Sequence, residues 1–175
     1  DLSQVELGIN YAMLITTNSG LWRYKIGDTV KFTSLNPYRI IVSGRTKHYI
    51  NTFGEEVIID NVENALEKVI EVHQCKIVDY TVAPKFMKSG KKGKHEWIIE
   101  FSKEPKNFKK FIEDLDFEIQ KINTDYKAKR FKNITLDIPK LYLGRKNLFY
   151  DWLKKKNKLG GQNKVPRLSN DRTCF

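Results

Sequence analysis

Three segments of the 175-residue chain hold the residues whose types could do chemistry. The first, Arg23-Tyr24-Lys25-Ile26-Gly27-Asp28, sets two cations and a carboxylate inside an otherwise apolar stretch. The second runs Ser43-Gly44-Arg45-Thr46-Lys47-His48-Tyr49-Ile50-Asn51-Thr52-Phe53-Gly54-Glu55-Glu56-Val57. The third is Gly160-Gly161-Gln162-Asn163-Lys164-Val165-Pro166-Arg167. Arginine offers a planar fork of donors and lysine a compact point charge, and both suit anionic oxygens. A lone aspartate in a turn most simply accepts from its own backbone. Taken one at a time, the segments are a hairpin, a strand with a turn, and a basic tail.

Several common catalytic constellations are missing. No G-x-x-x-x-G-K-[ST] loop occurs, so Ser89-Gly90-Lys91-Lys92 is not a phosphate cradle of that kind. His48, His73 and His95 are scattered, with no H-E-x-x-H spacing and no carboxylate partner near in sequence, which argues against a metal centre. Ser43-Gly44 lacks the rest of a G-x-S-x-G elbow. Cys75 and Cys174 are too far apart to form a ligand pair or a disulfide framework, and a reducing cytoplasm is the simplest compartment.

The elements that must position these residues fall into two parts. In the first, up to about residue 43, residues 11–17 read as a strand. Gly27-Asp28 reads as the tight turn of a hairpin, with Leu21, Trp22, Tyr24 and Ile26 before it and Val30 and Phe32 after it. Asn36-Pro37 marks a further turn, and residues 38–42 another strand. From Asp60 the period becomes helical, with Asp60 as a cap, Glu63 three residues on, and Val62, Ala65, Leu66, Val69 and Ile70 on one face.

Residues 76–83 and 96–102 read as a strand pair joined by a basic, glycine-bearing mobile loop over residues 88–94. Asn107 opens a longer helix whose inward face is Phe108, Phe111, Ile112, Leu115, Ile119 and Ile122. Residues 134–138 read as a short strand ended by Pro139, and residues 148–156 as a final helix stopped by Gly160-Gly161. The expected fold is therefore α+β: a β-rich leader, then a small mixed sheet with helices packed on it.

Composition is that of an ordinary globular chain, with 40% apolar and 30% charged residues. The net charge of +11, mostly lysine beyond Met87, suits nucleic acid, an anionic membrane surface or a phosphate-bearing small ligand, and equally a solvated lysine surface. No apolar run approaches the ~20 residues of a membrane helix. The chain opens Asp1-Leu2-Ser3-Gln4, without a signal peptide or an initiating Met, as expected of a piece of something longer.

Together and in this order, the three segments resemble the closing part of the adenylate-forming enzyme superfamily. The superfamily pattern is Y-R-x-G-D, then G-R-x-[DK]-x-x-I-x-x-x-G-x-x-V with an acidic helix behind it, then a late lysine. The wording "GLWRYKIGDTVKF", "FGEEV" and "NKVPRLSNDR" is similar to the auxin-responsive acyl acid-amido synthetases, the Gretchen Hagen three family, and their bacterial relatives. The similarity is specific in the first two segments and looser between Cys75 and Leu159.

The resemblance implies a division at a hinge. Residues 1–46 would be the last strands of the main adenylation domain, and 47–175 a mobile C-terminal lid with Lys47 as the hinge residue. It implies that Asp28 grips the ribose of ATP, since one carboxylate can accept from both vicinal hydroxyls. Arg23 and Arg45 would add donors toward ribose or phosphate, and Arg167 would either bind phosphate or anchor its loop. Lys164 would carry the catalysis, its ammonium stabilising charge that develops on the leaving pyrophosphate. Here the tail departs from the common P-K-[ST]-x-x-G-K form, so Lys164 rests on the narrower family similarity.

The implied substrates are ATP with magnesium, a carboxylic acid and an amino acid; the implied partner is the absent N-terminal adenylation domain of the same polypeptide. Without it the segment would be inactive, because that domain brings acid and ATP together. Two alternatives stand beside this reading: a basic nucleic-acid module, disfavoured because the aromatics fall on inward faces, and an interaction domain with no chemistry.

Overall fold

The computed structural model describes residues 2–45, 49–51, 54–87, 92–133, 135–160, 163–170 and 172, with the side chains of residues 44, 45 and 133 left aside. Lys47 therefore lies outside the described residues, as do Ile134, Cys174 and residues 88–91 of the basic loop. The chain divides into two units, Asp1–His48 and Tyr49–Phe175.

In the first unit, strands β1 (Asn10–Ile15), β2 (Tyr24–Leu35) and β3 (Tyr38–Arg45) form an antiparallel sheet in the order β1-β2-β3. The expected hairpin at Gly27-Asp28 is not there, because both residues lie inside the single long strand β2. The register jumps from Leu14 opposite Lys25 to Ala12 opposite Thr29, leaving Ile26, Gly27 and Asp28 across from Met13 alone. Gly27, at φ +91°, spends its left-handed freedom on a bulge instead of a reversal. The reversal lies earlier, where the Thr17 amide donates to the Leu21 carbonyl at 3.0 Å around Gly20 at φ +99°. The turn at Asn36-Pro37 is found as expected, with Leu35 opposite Tyr38 across it. Burial in this sheet is thin. Val30 and Phe32 are buried, while Trp22 is 80% exposed and Val42 67%.

The second unit begins with a short pair, β4 (Tyr49–Ile50) and β5 (Val57–Ile58), leading into helix α1 (Ile59–His73). Asn61, not Asp60, closes the helix start: its side-chain oxygen accepts from the Ile58 amide at 3.2 Å. Strands β6 (Lys76–Lys85) and β7 (Lys94–Lys103) pair antiparallel. Helix α2 (Phe108–Ile122), capped by the Asn107 side chain on the Lys110 amide, and the short α3 (Thr124–Arg130) then cross over to β8 (Lys140–Gly144). Strand β8 runs parallel to β7, so the sheet β6-β7-β8 is mixed, and α4 (Leu148–Lys155) follows it. A parallel neighbour needs a long crossover, which the two helices supply.

One core joins Tyr80, Val82, Trp97 and Ile99 of the sheet to Val62, Leu66 and Val69 of α1 and Phe111, Leu115 and Ile119 of α2. The final strand lies after Pro139, not before it. Leu136 is taken up elsewhere: its amide donates to the Lys129 carbonyl at 3.0 Å and its carbonyl accepts from Arg130 at 2.8 Å. Helix α4 ends at Lys155, short of the glycine pair that was expected to stop it. None of the described helices is long and apolar enough to cross a membrane.

Candidate functional site

In the first unit the β2 bulge sets Asp28 directly across the ladder from Arg45, with Thr29 facing Gly44. A second irregularity, at Ser43 of β3, lets the ladder resume at Val30 opposite Val42. The Ser43 hydroxyl lies 3.2 Å from that of Thr29 and spans the break. Asp28 is half-buried. The β2 bulge interrupts the ladder with β1 and the Ser43 bulge the ladder with β3, so the pleat is irregular on both sides of Asp28. The backbone register thus pairs Asp28 with Arg45, 17 positions away in sequence. Arg23 is not part of this pairing. It precedes β2, is exposed, sits at φ +47°, and its amide donates to Thr16 Oγ1 at 3.2 Å.

In the second unit, the loop following Lys47 is held by its own polar groups. The Gly54 amide donates to Asn51 Oδ1 at 2.5 Å, with Gly54 at φ +93°. Glu55 is fully buried and lies 2.9 Å from His95 Nε2. His95 therefore does have a carboxylate partner, and so does His73, which lies 2.9 Å from Asp114. Those pairs join residues 40 and 41 positions apart, out of reach of a local motif search. Asn123 ties the same loop to α1 by donating to the Glu55 carbonyl and to Asn61 Oδ1, each at 3.1 Å. Among the described residues no cluster of His, Cys, Asp and Glu could hold a metal ion.

The tail is zipped onto the outer edge of β6. Thr81 Oγ1 donates to the Pro166 carbonyl at 2.7 Å, the Val82 amide to the Arg167 carbonyl at 2.9 Å, and the Ser169 amide to the Val82 carbonyl at 3.1 Å. Val165 and Leu168 are buried. Lys164 is exposed immediately before this zipped stretch and makes no hydrogen bond or ion pair among the described residues. Arg167 lies within the zipped stretch. Its guanidinium pairs with Glu63 of α1, stands 3.7 Å from Asp79, and covers the Tyr80 ring at 5.2 Å from the centroid.

The Tyr80 hydroxyl donates to Glu63 at 2.7 Å. Burial, and then that bond to a carboxylate, push the Tyr80 phenol far above its ordinary pKa, so it remains a donor. These side chains border a groove of about 390 Å³ between α1 and β6, floored by Leu66, Ile70 and Ile77. Glu63 looked like a capping or helix-face residue in the sequence. Its partnership with the tail, 104 positions away, left no local signal.

The chain's similarities follow the same division. Residues 1–45 match the GH3 family central domain, and residues 60–173 match the GH3 family C-terminal domain. An indole-3-acetic acid-amido synthetase of Arabidopsis thaliana, GH3.15, is 29% identical over 86 residues, covering 46% of this chain and 14% of that protein. A second, GH3.10 of the same plant, is 51% identical over 35 residues, or 20% of this chain and 6% of that protein. The solved GH3.15 acyl acid amido synthetase shares the fold with a TM-score of 0.78 at 22% identity, over 98% of this chain and 33% of that one. The same enzyme solved in complex with 2,4-DB gives a TM-score of 0.76 at 21% identity, over 98% and 32%. The chain thus spans about a third of the length of the solved enzymes it resembles.

Proposed function

The chain belongs to the GH3 family, and from that premise we propose that it is the C-terminal part of an ATP-dependent acyl acid-amido synthetase. The carboxylate of an acyl acid attacks the α-phosphorus of ATP, giving acyl-AMP and releasing pyrophosphate. The amine of an amino acid then attacks the acyl carbon, forming the amide and releasing AMP and a proton. In this reading residues 1–46 complete the adenylation domain, residues 47–175 form the lid, and Lys47 is the hinge between them.

The observation that carries the reading is Asp28 facing Arg45 across the β2–β3 ladder, inside the segment that matches the central domain. In this reading the Asp28 carboxylate offers acceptors to a ribose diol, and an arginine at the paired ladder position supplies donors to ribose or phosphate oxygens. Arg23 adds a donor of the second kind. Lys164, exposed next to a firmly held stretch, supplies the cation for the α-phosphate and the departing pyrophosphate. Magnesium bound through nucleotide phosphates needs only one or two protein carboxylates, so it would arrive with ATP without a dedicated protein cage.

The exposed apolar residues Trp22, Tyr24, Ile40, Ile41 and Val42 support an N-terminal partner domain of the same polypeptide packed on this sheet. That domain would hold the acyl acid, and the segment alone would not adenylate. The reaction takes place in the aqueous cytoplasm under this reading.

ATP–pyrophosphate exchange by the full enzyme tests the proposal. Lys164→Ala should lower acid-dependent exchange by about 10²-fold or more with an unchanged circular dichroism spectrum. Near-full exchange would remove Lys164 from the mechanism.

A further inference from the structure

The tail that carries Lys164 is fastened at its far end to the start of the second unit. Asn170 Oδ1 accepts from the Asn51 amide at 2.9 Å, and Asn170 Nδ2 donates to the Tyr49 carbonyl at 3.1 Å. Both partners lie two to four positions beyond Lys47, while Asn170 is 119 to 121 positions away from them in sequence. The carboxamide thus satisfies one donor and one acceptor of a short edge segment, which only a side chain with both groups can do. Between Asn170 and Lys164 the chain has little freedom. Pro166, Arg167 and Ser169 are bonded along β6, Val165 and Leu168 are buried at 5% and 1% exposure, and Arg167 reaches α1 through Glu63.

We propose that Asn170 is a positioning residue for Lys164: it ties the Lys164-bearing tail to the strand leaving Lys47, so that the ammonium travels with that strand as one piece. The proposal rests on the role given to Lys164 above. The strand at Tyr49 and the residue Lys164 are then coupled through two hydrogen bonds and a zipped stretch, not through the length of the intervening fold. An unfastened tail would leave Lys164 present but loosely aimed, and a misplacement of about 1 Å can cost on the order of 10²-fold in rate.

The test uses the complete enzyme and ATP–pyrophosphate exchange. Asn170→Ala should lower kcat about tenfold or more while KM for ATP stays within about twofold, since no nucleotide contact is lost. Asn170→Asp keeps the acceptor for the Asn51 amide but loses the donor to Tyr49, and should fall between; it also serves if the alanine variant does not fold. The decisive comparison is a double-mutant cycle. In a Lys164→Ala background, Asn170→Ala or Asn170→Asp should cost nothing further, because the two residues act through one group.

A full additional loss in that background, or no loss in the wild-type background, would overturn the strap. If Lys164→Ala itself leaves exchange intact, the role of Lys164 falls and the strap falls with it. If Lys164→Ala abolishes exchange and Asn170 substitutions do nothing, the strap alone falls.

Discussion

Asp28 stands directly across the β2–β3 ladder from Arg45, at the point where a glycine bulge interrupts the regular pleat. The carboxylate is held there by two strands, a more rigid mount than the hairpin tip expected from the sequence. A ribose clamp needs such a mount, because both vicinal hydroxyls must meet one carboxylate at a set angle. Asp28→Ala in the full enzyme should raise the Kd for ATP about 10-fold or more, the scale of hydrogen bonds to a charged group. It should also erase any preference for ATP over 2′-deoxy-ATP. An unchanged ATP affinity, or an undiminished preference, would sink the ribose role.

Arg167 could serve either the nucleotide or the fold, and its contacts with Glu63, Asp79 and Tyr80 favour the fold. Anchoring predicts that Arg167→Ala and Glu63→Ala behave alike. Each should cost the chain about 1 kcal/mol or less, since both side chains are close to half exposed and solvent screens the pair. Both should leave KM for ATP unchanged. Denaturant midpoints and steady-state kinetics decide it. A rise in KM confined to Arg167→Ala would return the residue to the phosphate.

Much of the fold was legible because its signals are local. The apolar face of α2 and the alternation along β6 and β7 each follow from side chains a few positions apart. The site was legible only in part. Gly27-Asp28 carries the composition of a tight turn, and only the pairing with β1 converts it into a bulge. Leu136 does not lie in the strand expected over residues 134–138, because its backbone bonds to α3, an element the periodicity did not reveal. Asp116, Arg130, Glu63 and Asn170 look like surface polar residues in one dimension. What makes each matter is a partner that the folded chain brings to it.

Asp116 and Arg130 form a buried pair. Arg130 Nε and Nη2 each donate to an oxygen of Asp116 at 2.8 Å, and Tyr126 adds a third donor at 2.6 Å. Both side chains are 6% exposed. Arg130→Ala would strand a carboxylate in the core and free the Leu136 carbonyl, so a loss of about 3–5 kcal/mol is expected. Replacing both partners, with Arg130→Met and Asp116→Leu, should cost far less, because no buried charge remains unpaired. Urea unfolding of the wild type, Arg130→Ala and the double variant measures it. A single-variant loss under about 1 kcal/mol would show that the pair is not isolated from water.

Glu96 links the β7 strand to the end of the chain, and its ionisation should appear in the acid stability. Burial alone would push its carboxyl up. Hydrogen bonds from Arg172 at 2.6 Å and Tyr142 at 3.1 Å, with the charges of Arg172 and Lys85, outweigh burial and hold it below the usual range. A carboxyl whose pKa is lower in the folded state stabilises the fold fully above its unfolded value, about 4.3. That contribution is lost as pH falls through the lower folded value. Glu96→Gln should therefore be less stable than the wild type at pH 7, and the gap should narrow below about pH 4. Denaturant midpoints taken from pH 7 down to pH 3 read the difference directly. A gap that stays constant across that range would mean that the hydrogen-bonded shape of Glu96, and not its charge, is what secures residue 172.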